Sequence, residues 1–181
     1  MNWLDRKIDE FIRRIRDTKP NIPVGPLEDP TYIRYFVIKR NRWLNLYLHH
    51  WRHDDAQHHH DHRAHNLSII LQGSYSEERF VRRPRQGQPL PETYQVQLSK
   101  WRPKFRLAST PHRVLLNRNS DGVLVHAWSL FIKLPDIRDW GFWVNVGSPS
   151  NVALWIPWRS YTAGDDPEGV GYGQPRPEFR Q

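Results

Sequence analysis

The chain has 181 residues, enough for one domain with a substantial core, and none of its apolar stretches is long enough to span a bilayer. It contains no cysteine, which excludes disulfides, thiolate metal ligands and a cysteine nucleophile. The net charge of +8 comes mainly from arginine, but the basic residues are dispersed, so nucleic-acid binding is open but not favoured. An amphipathic pattern follows the first residues where a signal peptide would need an apolar region, so we expect a cytoplasmic protein.

An amphipathic helix is predicted over residues 3–17. The apolar positions with a helical period are Leu4, Ile8, Phe11, Ile12 and Ile15. The opposite face is charged, which is typical of a helix that packs one side against a sheet. We therefore assign residues 1–20 to an N-terminal helix packed on the following domain.

The rest of the chain is predicted to be all-β. Residues 18–30 contain four prolines and a glycine and are interpreted as a loop. Short segments rich in β-branched and aromatic residues follow; the predicted strands are 32–38, 43–48, 67–71, 75–81, 94–98, 105–108, 113–116, 123–134, 140–146 and 152–158. This pattern predicts an antiparallel sandwich or small barrel over residues 31–162. The glycine- and proline-rich residues 163–181 are predicted to form a disordered tail.

A histidine cluster precedes the strand predicted at 67–71, and eight of the ten histidines lie between positions 49 and 65. In a strand, His60 and His62 would point to the same face and Asp61 to the other. Neutral imidazole is a common ligand for zinc, iron, copper and nickel. His112 opens a distant strand and is the best candidate for a third ligand, so we predict a metal site at His60, His62 and His112.

These motifs resemble the cupin superfamily. Its first motif has two histidines separated by one residue and a glycine at the following turn, which correspond to His60, His62 and Gly73. Its second motif has a later histidine, which corresponds to His112. A closer resemblance is to small, uncharacterised bacterial and phage cupin-like metal-binding proteins. They share His-Asp-His, Pro-His-Arg, Trp-Gly-Phe-Trp and Pro-Trp-Arg, found here at residues 60–62, 111–113, 140–143 and 157–159.

The resemblance implies a cupin double-stranded β-helix, or jelly-roll barrel, with a mononuclear metal site. The carboxylate ligand usual in cupins is missing, and His65 stands in its place. His65 is thus either a fourth ligand or a structural residue. His126 could face the same cavity, although a core role is favoured. We interpret the remaining cluster histidines as solvated or packing residues: His49, His50, His53, His58 and His59.

An all-histidine site disfavours magnesium and calcium and suits Fe(II), zinc, nickel or copper. We favour an iron(II)-dependent oxygenase or oxidoreductase that acts on a small substrate, which could be anionic. Arg113, Arg159 and Trp143 are the candidate substrate-binding residues. The alternatives are a non-catalytic cupin binding module with a structural metal or none, and a basic phage protein that associates with nucleic acid. A homodimer is expected from the resemblance alone.

Overall fold

A computed structural model describes residues 2–19, 21–26, 28–55, 57–146 and 152–162. The two helices are α1 (Trp3–Thr18) and α2 (Trp158–Tyr161). The strands are β1 (Asn21–Val24), β2 (Tyr32–Phe36), β3 (Asn45–Trp51), β4 (His59–His60), β5 (Asn66–Gln72), β6 (Tyr75–Phe80), β7 (Thr93–Leu98), β8 (Lys104–Arg106), β9 (His112–Leu116), β10 (Ala127–Lys133), β11 (Gly141–Val146) and β12 (Val152–Pro157). Neither helix in these ranges has the length and apolar character needed to cross a membrane.

Helix α1 covers the outer face of one sheet, as its periodicity predicts. The side chain of Asn2 caps it by accepting a hydrogen bond from the backbone N–H of Asp5 at 2.8 Å. Three isoleucines of α1 are buried against residues of β2, β3 and β5; they are Ile8, Ile12 and Ile15. Burying an apolar stripe of this kind is the main source of stability for a surface helix.

The strands form two antiparallel six-stranded sheets. Their orders are β1-β2-β3-β10-β5-β8 and β12-β11-β4-β9-β6-β7. Side chains from the two inner faces pack together; Trp51 and Ile70 of the first sheet share a cluster with Tyr75 and Val114 of the second. Two antiparallel sheets enclose a common core, as the predicted jelly roll requires, so the predicted fold class is confirmed.

Several strands differ from the sequence prediction. The segment 18–30 is not entirely a loop, because β1 lies within it and pairs with β2. Pro23 is tolerated there because β1 is an edge strand and one side needs no backbone donor. Strand β3 continues through His49 and His50, beyond the predicted end at residue 48, and the short β4 was not predicted. The predicted tail, 163–181, lies outside the described residues.

The turn between β5 and β6 requires a glycine. Gly73 has a φ of +70°, and a Cβ atom at this position would lie 2.5 Å from the carbonyl oxygen of His126. Both the backbone conformation and the close approach therefore exclude a larger residue.

Candidate metal centre

Three histidines converge between the two sheets. His60 on β4 lies directly opposite His112 on β9, and His62 follows two residues after His60. The ring centroids are 5.0 to 5.1 Å apart. One nitrogen from each ring lies within 4.8 Å of the other two, and the Nε2 atoms of His62 and His112 are 3.4 Å apart. A single ion could contact all three nitrogens.

The outer nitrogens of two of these rings face hydrogen-bond acceptors. His60 Nδ1 lies 3.3 Å from a carboxylate oxygen of Asp55, and His112 Nδ1 lies 3.2 Å from the carbonyl oxygen of Thr110. Each acceptor favours a proton on Nδ1, which leaves the Nε2 lone pair free to bind a metal. This arrangement of ligand and supporting acceptor is common in protein metal sites.

Burial keeps two of the rings neutral. It holds the pKa of His62 and His112 well below the usual value of 6.5, and the nearby positive charge of Arg106 acts in the same direction. Neutral imidazoles need not lose a proton before binding a metal at neutral pH. The donor set therefore fits a divalent transition metal.

The three rings line a cavity of about 170 Å³ that lies inside the barrel. An apolar protein cavity of about 150 Å³ holds a benzene molecule, so this space suits a small organic compound. Its aromatic lining comprises Tyr32, Tyr47, Trp51, Tyr75, Phe131, Trp140, Phe142 and Tyr161. Its charged lining comprises Arg34, Arg63, Arg106, Lys133, Asp55 and Glu77.

The two other candidate ligands do not join the group. The Nδ1 atom of His65 accepts a hydrogen bond from the backbone N–H of Ala108 at 2.9 Å, and its ring lies 6.0 Å from Phe105. His126 precedes β10 and is exposed, so the core position that we favoured for it is wrong. Within the described ranges, the structure brings together the ligand nitrogens of His60, His62 and His112 alone.

None of the three predicted substrate-binding residues lines this cavity. Arg113 follows the inward-facing His112 on β9, so the alternation of the strand turns it outward to an ion pair with Glu78. Trp143 is buried on the other side of β11, against Phe80 and Ala153. Arg159 is exposed on α2, where its guanidinium stacks over Trp158. The prediction is therefore corrected for all three.

Several polar residues on the cavity wall were not predicted as site residues from the sequence. Glu77 on β6 is fully buried and accepts hydrogen bonds from Arg106 and Arg79. Arg34 on β2 and His49 on β3 also face the cavity. Their position could have been inferred from the sequence, because each is a polar residue in a strand whose neighbours along the chain point to the opposite face.

No protein-family model matches the chain, and no curated protein is similar to it in sequence. Solved structures with a similar fold include Streptomyces albus HEPD with 2-hydroxyethylphosphonate and Fe(II) bound. It is 8% identical, with a TM-score of 0.50 over 66% of this chain and 25% of that chain.

Two further structures show weaker likeness. Hydroxypropylphosphonic acid epoxidase from S. wedmorenis is 11% identical, with a TM-score of 0.48 over 65% of this chain and 56% of its own. A cupin domain from Bordetella pertussis is 11% identical, with a TM-score of 0.42 over 60% of this chain and 98% of its own. The matched region thus spans little more than half of the epoxidase.

At these identities the comparisons show the fold alone. The two antiparallel sheets, their strand order and the likeness to HEPD define this chain as a cupin-like jelly roll.

Proposed function

We propose that this protein is a mononuclear metal-dependent cupin enzyme, with iron(II) as the favoured metal, that oxidises a small anionic substrate inside the barrel. The observation that carries the proposal is the convergence of three imidazole nitrogens within 4.8 Å of one another on a cavity wall.

The residues of the chain have separate roles in this proposal. His60, His62 and His112 hold the metal, while Asp55 and the carbonyl of Thr110 fix two of the rings in the tautomer that binds it. Bound iron(II) would supply a Lewis acid and a redox centre for chemistry with O₂. Three protein ligands leave coordination positions for other molecules, as catalytic sites require.

The charge of the cavity supports an anionic substrate. An imidazole that binds a metal carries no charge, so three histidine ligands would not offset the charge of a divalent ion. Arginines outnumber carboxylates on the wall: Arg34, Arg63 and Arg106 line it with Asp55 and Glu77. An excess of positive charge in a partly buried space favours binding of a negatively charged molecule.

The choice of iron rests on the resemblance to cupins. Nitrogen-only ligands argue against magnesium and calcium, but zinc, nickel and copper also accept three imidazoles. The identity of the metal therefore has to be measured, by metal analysis of the purified protein.

The first test is metal content and turnover of protein purified without a histidine tag. We expect about one metal per chain after reconstitution with Fe(II), and loss of that metal in the double variant His60→Ala plus His112→Ala. The matched control is His126→Ala, which removes an exposed imidazole and should retain the metal. Unchanged stoichiometric metal in the double variant would exclude this ligand set.

The second test separates an enzyme from a non-catalytic binding module, the alternative suggested by the missing carboxylate. O₂ consumption is measured with a panel of small carboxylic and phosphonic acids, before and after chelation. An enzyme should show consumption that chelation abolishes and one metal restores. Stoichiometric metal without turnover of any panel member would favour the binding module.

The cytoplasmic location, the homodimer and the low preference for nucleic acid stay predictions from the sequence. The last is checked by duplex binding at low salt, because phosphate contacts weaken steeply as salt is added.

A further inference from the structure

Arg34 is held in a defined orientation on the cavity wall. It lies opposite His49 in the β2–β3 register, and its Nε donates a hydrogen bond to His49 Nε2 at 3.3 Å. Its Nη2 donates a hydrogen bond to the hydroxyl of Tyr32 at 2.7 Å. The guanidinium carbon lies 5.6 Å from the ring centre of Tyr32 and 5.0 Å from that of Tyr47. These contacts use one side of the guanidinium and restrict its rotation.

The charge of Arg34 is not neutralised by the part of the chain that the structure describes. No carboxylate there lies within ion-pair distance of it, and its Nη1 atom makes no hydrogen bond with those residues. Arg106, a cavity arginine of the same sheet, differs because it pairs with the buried Glu77. A guanidinium that is partly buried without a counterion is a favourable binding position for an anion.

The uncompensated guanidinium and the histidine cluster belong to one cavity. The ring of Phe131 lies 4.9 Å from that of His49, the partner of Arg34, and 5.9 Å from that of His62. His49 and Phe131 therefore connect Arg34 to His62 along the wall of the cavity.

The wall between these two ends is aromatic. The rings of Tyr47 and Phe131 are stacked with 19° between their planes, and those of Tyr47 and His49 with 10°. Neighbouring aromatic rings give this part of the wall an apolar lining, which suits a small carbon skeleton.

We propose that Arg34 binds the carboxylate of a small acid whose apolar carbon skeleton lies against Tyr47 and Phe131 and extends toward the histidine cluster. The planar fork of a guanidinium matches a carboxylate with two parallel hydrogen bonds. This inference rests on the proposed function for any reaction at the metal, but the binding of the acid does not require the metal.

The experiment measures binding of two acid–amide pairs by ¹⁹F NMR, with metal-free and metal-loaded protein. The pairs are 4-fluorobenzoate with 4-fluorobenzamide and 4,4,4-trifluorocrotonate with its amide. At least one acid should bind to the wild-type protein roughly 10- to 100-fold more tightly than its amide, which is the effect of a charged hydrogen-bonded contact. This comparison needs no variant, so it does not depend on a substitution that could disturb folding.

Variants then assign the effect to Arg34. Arg34→Gln should weaken the acid by roughly the same 10- to 100-fold and leave the amide unchanged, while Arg34→Lys should give an intermediate loss. Arg159→Gln is the matched control, because it removes one positive charge outside the cavity and should leave both affinities unchanged. Thermal unfolding of each variant checks that it is folded.

The possible results separate this inference from the proposed function. Equal binding of acid and amide, no binding of either pair, or an acid affinity unaffected by Arg34→Gln would overturn it. A propylphosphonate that competes at Arg34 with an affinity at least about tenfold higher than both acids would overturn the assignment to carboxylates. The variant His60→Ala plus His112→Ala should lose the metal but keep acid binding. If the wild-type protein bound the acid but took up no metal, only the proposed function would be refuted.

Discussion

Two groups of three histidines lie in different parts of the molecule. The inner group consists of His60, His62 and His112. The outer group consists of His50, His53 and His126. One pair of outer rings is as close as the inner ones, because the inner centroids are 5.0 to 5.1 Å apart and those of His50 and His126 are 5.2 Å apart. Proximity of the rings therefore does not distinguish the groups.

The groups differ in where the nitrogens point and what they contact. In the outer group, His50 stacks face to face on Trp128 at 4.0 Å, and His53 Nε2 lies 2.8 Å from a carboxylate oxygen of Asp29. In the inner group, one nitrogen of each ring faces a common point, and acceptors outside that point hold two of the rings. Convergence and orientation, more than the density of histidines, distinguish a candidate metal site.

The largest difference in metal affinity is expected between a variant that lacks one inner ligand and a variant that lacks one outer histidine. We expect His62→Ala to lower the affinity for the metal by more than about 100-fold, beyond the usual effect of losing a supporting residue, whereas His50→Ala should leave it unchanged. Metal affinity is measured by competition with a chelator of known strength. Similar losses in the two variants would show that the histidines bind metal without a defined site.

A smaller effect is expected from the carboxylates that contact each group. Asp55→Asn removes the charged acceptor of His60 Nδ1 and should weaken metal binding by roughly 10- to 100-fold. Asp29→Asn makes the same chemical change beside His53 and should have no effect on the metal. If Asp55→Asn also left the affinity unchanged, the orienting role of this carboxylate would be wrong.

The smallest effect concerns the pH dependence of stability in the metal-free protein. Burial lowers the pKa of His62 and His112 in the folded state below the unfolded value of 6.5, so the unfolded state binds more protons in acid. The contribution of these two neutral imidazoles to the free energy of unfolding is fully present above pH 6.5 and is lost as the pH falls below that value. Each imidazole should account for up to about 1.4 kcal/mol of unfolding free energy per pH unit.

Urea unfolding between pH 7 and 5 measures this dependence. His62→Leu should reduce the slope, because it removes one of the protonating groups. The exposed His126 should contribute less, so His126→Ala serves as the control. An equal slope in wild type and His62→Leu would argue against a buried neutral imidazole at this position.

Much of the fold and part of the candidate site were predictable. The helical period of α1 and most strands were predicted close to their observed bounds, because both patterns are local in sequence. His60 and His62 were correctly placed near one another, although only His60 lies in a strand. Side chains alternate along a strand, so an inward-facing His112 would also have predicted that Arg113 points away from the cavity, as it does.

The local pattern of the sequence specified which residues could form an amphipathic helix, the sheets and an imidazole cluster, because side-chain periodicity depends on near neighbours in the chain. Only the tertiary structure decided that His112 lies opposite His60, that His65 is held by Ala108, and that Arg34 shares a cavity with the cluster. These relations depend on strand register and on the packing of two sheets, which are set by contacts between residues far apart in sequence.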